Sequence, residues 1–224
     1  FDQGTELVLQ ALNKGFFEAD TEFFQRPRKD LRPRPTAGFQ DRVYSIGVSP
    51  DSASQAAVLG AQLMVLAQQP WEVFRELALI PFQEKWRSLR ETEPPVPFAG
   101  QLVFCDSDPV RARELGMQYV KEYFATVAEH YEIGGAHFKE TRGYEFYGNA
   151  AEAIEAMGLD AMAEMYAGVN TFGTPTEIVD QLRAQKEILG CDHDILMIPK
   201  YGSMTQEEAE ASVSLFAREV IPKL

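Results

Sequence analysis

Four short apolar runs, each followed by a stretch of helical periodicity, constrain this chain more than any other feature of its sequence. They lie at residues 43–48, 62–66, 101–105 and 195–198. Continuous rather than alternating apolar runs read as parallel strands buried on both faces, with the intervening helices as cover. The helices carry their own start and stop signals. Ser49-Pro50 supplies an N-cap and a first helical residue, and Gly60 a left-handed stop. Asp108-Pro109 opens a helix whose apolar stripe includes Ala112, Leu115, Tyr119 and Phe124. Thr174 with Glu177, and Thr205 with Glu208, are capping boxes that open the last two helices. Another helix is expected over 71–89, kinked at Pro81. A dinucleotide-binding sheet would show Gly-x-Gly-x-x-Gly after its first strand, and none is present. Eight strand–helix units close a barrel of ~250 residues, so four units amount to half of one.

The remaining segments are less regular. Residues 6–12 read as helix, with Leu9, Leu12 and Phe16 at helical spacing. Residues 21–39 hold Pro27, Pro33 and Pro35 among Arg26, Arg28, Arg32 and Arg34, and read as an extended connection. After His130 the periodicity fades through a Gly- and aromatic-rich stretch at 134–148, and helical character returns over 150–165. The expectation is a single domain over 1–224 with a lid-like insertion at about 131–172. The chain opens on Phe1, inside a helical pattern and without Met, which leads us to expect a fragment lacking ~100–150 upstream residues.

Charge narrows the function classes. Twenty-one Lys and Arg against 34 Asp and Glu give −13, which disfavours both non-specific nucleic-acid binding and anionic membrane surfaces. No apolar run reaches the ~18 residues of a spanning helix. Cys105 and Cys191 cannot form a disulfide framework, and a reducing cytoplasm suits them.

In a parallel barrel, chemistry sits at the carboxyl ends of the strands. The segments that reach that end are Gly47-Val48-Ser49, Ala67-Gln68-Gln69, Cys105-Asp106 and the run from Pro199 to Met204. Ser49 combines a hydroxyl with a helix N-terminus, as a phosphate cradle would, and Ser52 lies one turn on. A plain N-cap explains the same serine, and Asp51 adds a negative charge beside it. His137, Lys139, Arg142 and Tyr144 could line a lid. Cys191-x-His193 lacks further metal ligands at useful spacing, and His193 precedes the last strand, away from the mouth. No Ser/His/Asp arrangement stands out, so no catalytic residue is assigned.

The run Ala37-Gly38-Phe39-Gln40-Asp41-Arg42-Val43-Tyr44-Ser45-Ile46-Gly47-Val48-Ser49-Pro50-Asp51-Ser52-Ala53 resembles the fifth strand and following helix of the bacterial luciferase-like flavin monooxygenases. Phe172-Gly173-Thr174-Pro175-Thr176-Glu177 and the strand ending Pro199-Lys200-Tyr201-Gly202-Ser203-Met204 are similar to the close of that barrel, and 136–148 to its variable lid. The resemblance implies a TIM (β/α)8-type α/β barrel, of which this chain supplies roughly strands five to eight. It implies reduced FMN, supplied by a flavin reductase, reacting with O2 to oxidise a small apolar substrate. Ser49, with Gly47, Val48 and Ser52, falls at the family's phosphate site; His137, Lys139, Tyr144 and Gln68 fall at the substrate and lid side. The family's catalytic histidine has no counterpart here. Two alternatives follow from the same resemblance: a deazaflavin-dependent reductase, and a non-catalytic partner subunit of a heterodimer. A homo- or heterodimer is expected in each case.

Overall fold

The computed structural model describes residues 2–39, 42–132 and 154–224. Helix α1 (Asp2–Lys14) ends at Gly15, whose φ of 75° is the left-handed stop that glycine adopts without strain. Phe16, expected on that helix, instead opens strand β1 (Phe16–Asp20), which pairs antiparallel with β2 (Gln25–Asp30). The expected extended connection over 21–39 is therefore in part a hairpin. Pro27 is compatible with it because β2 belongs to a two-stranded sheet, where an absent N–H can face solvent.

The four predicted strands are β3 (Tyr44–Ile46), β4 (Gln62–Leu66), β5 (Phe98–Cys105) and, after one unforeseen strand, β7 (Asp194–Ile198). They are parallel neighbours in the order β3-β4-β5-β7. The unforeseen strand, β6 (Thr171–Gly173), pairs parallel with Val103–Cys105 of β5. Helix α2 (Pro50–Leu59) carries its predicted caps: Ser49 at one end and Gly60, at φ 69°, at the other. The helix expected over 71–89 is α3 (Trp71–Phe74) and α4 (Ile80–Leu89), joined through a π-helical stretch at Arg75–Leu79. The irregularity thus lies one turn before Pro81. The proline lacks the N–H for an i→i−4 bond, and the Ile80 N–H reaches back to the Arg75 carbonyl.

Helices α5 (Pro109–His130), α6 (Leu159–Gly168), α7 (Pro175–Leu189) and α8 (Gln206–Glu219) complete the cover. The helix expected over 150–165 is interrupted where it is described, because Gly158 takes φ 87° ahead of α6. The proposed lid stretch at 134–148 lies outside the described residues.

Alternation along the strands sorts the core into two faces. On one, Leu63 and Val65 pack on Ala53, Ala56 and Ala57 of α2 and on Phe82 of α4, while Val103 and Cys105 meet Ile178 and Leu182 of α7 and Phe216 of α8. On the other, Leu102 and Phe104 pack against Tyr119 and Val120 of α5 and Ala167 of α6. The carboxyl end of β5 is thereby covered on both sides.

A polar seam fixes this arrangement. The side chain of Asn170 accepts from the Leu102 N–H (2.9 Å) and donates to the carbonyls of Ala67 (3.2 Å) and Tyr166 (2.8 Å). It bridges the point where β4 leaves β5 and β6 takes over its pairing. Beside it Gln101, Thr171 and Gln185 bond to one another while buried.

Candidate functional site

Strand β3 delivers the chain to the site through Gly47. Its N–H donates to the Met64 carbonyl at 3.0 Å, and a side chain here would meet Leu63 Cδ1 at 2.8 Å and the Ala53 backbone at 3.0 Å. Glycine lets the strand end approach the first turn of α2 this closely. Val48 packs on the helix-side core, and Ser49 takes an extended conformation (φ −133°, ψ 161°) as N-cap.

Ser49 and Ser52, predicted as partners, are brought together with their hydroxyl oxygens 2.9 Å apart. The Ser52 hydroxyl oxygen accepts from the N–H groups of Val48 and Ser49, both at 3.1 Å, and Ser49 Oγ accepts from the Ser52 N–H at 3.3 Å. Two hydroxyls and three convergent N–H groups therefore sit at the positive end of a ten-residue helix. Pro50 contributes no N–H, and Asp51 places a carboxylate in the same turn. Each of these N–H groups has a serine oxygen as acceptor and the Ser52 O–H donates to the Ser49 carbonyl at 3.1 Å, so the turn is closed on itself as a capping box, and its donors would match phosphate oxygens once those bonds are released.

Gln68 lies two residues past the end of β4, as expected for the mouth, and is half-buried. Its neighbour Gln69 is buried, and its side-chain nitrogen has no hydrogen-bond partner among the described residues. His137, Lys139 and Tyr144 lie outside the described residues.

Past β5 and β7 lies a cluster that no local sequence pattern announces. Arg111 of α5 bonds Asp106 through Nε and Glu208 through Nη2, each at 2.8 Å, and the Tyr119 hydroxyl donates to Glu208 at 2.9 Å. Glu208 also closes the capping box of α8, and the N–H of Thr205 with these other donors holds its carboxyl below the ordinary range despite partial burial. Burial, reinforced by Glu208, pushes the Tyr119 phenol up to about 12. The exit loop of β7 is pinned to α5 by the Ser203 N–H, which donates to Glu122 at 2.8 Å. Gly202, at φ 58°, passes so close to the Tyr119 carbonyl that a side chain there would lie 2.7 Å from it.

Beneath that loop, Tyr201 is buried with its hydroxyl unpartnered among the described residues, and burial raises its pKa. Its ring lies 6.3 Å from Tyr123, which stacks on Tyr166 at 6.5 Å. Burial raises Tyr166 as it does Tyr201, so these two phenols stay protonated and act as neutral donors or acceptors. Cys105 is likewise held as a thiol, pushed up to about 12 by burial and by Asp106. His193 lies before β7, away from the mouth as expected, with its ring 6.3 Å from Trp71.

The sequence profile of the luciferase-like monooxygenases matches residues 4–193. No curated protein sequence matches the chain. Among solved structures, the chain superposes on the monooxygenase RslO1 of Streptomyces bottropensis with TM-score 0.70 and 21% identity, covering 99% of this chain and 60% of that one. The coenzyme F420-dependent tetrahydromethanopterin reductase of Methanopyrus kandleri gives 0.64 and 19%, covering 98% and 61%. The oxygenating constituent of 3,6-diketocamphane monooxygenase of Pseudomonas putida, solved with FMN, gives 0.61 and 14%, covering 99% and 62%. The chain thus spans about three-fifths of the length of these structures, and the likeness establishes a shared α/β fold of TIM-barrel type. With most of its length matched by the profile, the chain belongs to the luciferase-like monooxygenase family.

Proposed function

We propose that this chain carries the flavin-phosphate end of a monooxygenase that uses reduced FMN and O2 to oxidise a small apolar organic substrate. The observation that carries the reading is the Ser49–Ser52 pair at the β3–α2 junction, with its N–H groups convergent at a helix N-terminus. Bound there, reduced FMN would supply the activation of O2 that oxidation requires.

The chain's own residues hold and shield. The N–H groups of Val48 and Ser49 engage the phosphate once the Ser52 hydroxyl releases them and turns its own O–H outward. The helix dipole offsets the repulsion from Asp51. Helices α5 and α6 close one side of the β5 end and keep water from it. We assign Gln68 and the lid residues His137, Lys139 and Tyr144 to the substrate side, within an insertion at about 131–172. A separate reductase would deliver reduced FMN to a dimer of this chain in the cytoplasm, where Cys105 and Cys191 remain free thiols.

Ser49→Asp tests the cradle cleanly, because Asp caps helices as well as Ser and leaves the fold intact. It places a carboxylate against the phosphate, and FMN affinity in the intact natural protein should fall roughly thirtyfold or more, about 2 kcal/mol. Flavin fluorescence titration reads this directly, and unchanged affinity rejects the role. A second reading, hydride transfer with a deazaflavin, is favoured by the similarity to two F420-dependent enzymes. Substrate turnover with reduced F420 and no O2 consumption would select it.

A further inference from the structure

The strongest concentration of positive charge in this acidic chain lies ahead of Ser49, over residues 14–34. A cavity of about 440 Å³ opens between the end of α1 and the β1–β2 hairpin, walled by Lys14, Arg28, Arg32 and Arg34, with Asp30 the one carboxylate in its lining. Its volume falls within the range of small-molecule sites. Among the described residues none of these four cations has an ion-pair partner, although the chain carries 34 carboxylates.

Two of the guanidinium groups are held by packing instead. Arg28 stacks on the Phe16 ring, 3.6 Å from its centroid. Arg34 lies against Gly15, where an added side chain would come within 2.7 Å of its Nε. Gly15 is fixed in turn by its left-handed φ and by its carbonyl, which accepts from the Leu31 N–H at 2.9 Å. Stacking restrains a guanidinium while leaving its edge donors unspent, and those donors match phosphate oxygens two at a time. Four like charges gathered around one hollow repel one another, and a bound anion relieves that repulsion.

We propose that this cavity is an anion site for a small ligand bearing a phosphate or diphosphate group. It is independent of the flavin reading, since no residue of the Ser49 terminus lines it. The concavity favours a small anion over the surface of a second copy of this chain.

Inorganic diphosphate is the probe, titrated by calorimetry into the natural protein at low ionic strength. The expected result is saturable one-to-one binding that chloride at matched ionic strength does not reproduce. Arg28→Gln and Arg34→Gln should each weaken it about tenfold or more, the scale of a charge-assisted hydrogen bond. Arg218→Gln, at an arginine paired with Glu219, should leave it unchanged. Circular dichroism should report native folding for all three, because exposed polar substitutions cost little. Absence of saturable binding overturns the proposal. So does binding that survives both pocket substitutions, which would put the anion elsewhere. Self-association abolished by the same substitutions and by salt, with no diphosphate effect, would assign the pocket to a second copy and also overturn it.

Discussion

A methyl group at position 47 would lie 2.8 Å from Leu63 Cδ1 and 3.0 Å from the backbone N and Cα of Ala53, so the clash is partly with atoms that cannot rotate away. Gly47→Ala should therefore destabilise the fold by about 1–3 kcal/mol, read as a lower urea midpoint at unchanged slope. Ser49→Asp, two residues on, should leave that midpoint in place, and the contrast separates packing from anion binding. His193 makes the stability of the fold depend on pH. Both ring nitrogens are buried without a hydrogen-bond partner among the described residues, and burial with Lys186 lowers the pKa against the opposing pull of Asp192 and Asp194. Below its ordinary value of 6.5 the unfolded chain takes up a proton there and the folded chain does not. Stability from this residue is thus present above 6.5 and lost as the pH falls below it. Urea unfolding between pH 5 and 7 should show a decline that is shallower in His193→Leu, and an identical decline in the two proteins would discard this origin.

Between elements, the junction of β4, β5 and β6 depends on one side chain. Asn170→Ala leaves the Leu102 N–H and the Ala67 and Tyr166 carbonyls without that partner in a buried seam. The expected cost is about 2–4 kcal/mol by denaturant titration, at the upper end for a lost buried polar contact. Little in the sequence announces this. The capping serines and threonines at 49, 174 and 205 act on N–H groups three residues ahead, so local pattern found them. Strands β3, β4, β5 and β7 are legible from the apolar runs that contain them, for a similar reason. Asn170 acts on Leu102, 68 positions away, and β6 is a three-residue strand defined by its partner. Nothing in the sequence marks the hairpin, because β2, reading Gln-Arg-Pro-Arg-Lys-Asp, is exposed along its whole length and carries no apolar pattern. In the candidate site, the Ser49–Ser52 pair is local and was foreseen. The tie from Arg111 and Tyr119 to Glu208 joins residues 97 and 89 positions apart, and no spacing rule reaches that far.

At the level of the whole chain, one face of the sheet is covered along its length, and among the described residues the other is covered at the end of β5, by α5, α6, Ala209 of α8 and the Tyr201–Met204 loop. Tyr44, Ile46 and Leu196 lie on that open face with 48%, 55% and 39% of their surfaces exposed, beside Met64, Leu66 and Phe98 in adjoining registers. A contiguous apolar sheet surface, with β3 and β7 unpaired on their outer sides among the described residues, favours association. The net charge of −13 opposes it by repulsion between copies, and salt screens that repulsion within about 8–10 Å at physiological strength. The 224-residue chain taken alone should therefore self-associate more as salt rises, the reverse of what docking through the basic cavity would give. Sedimentation velocity at low and high ionic strength distinguishes the two. Ile46→Lys and Leu196→Lys place charges on the open face without entering the helix-side core, so they should restore the monomer at both salt concentrations. Association that persists in the double variant would mean that copies meet through some other surface.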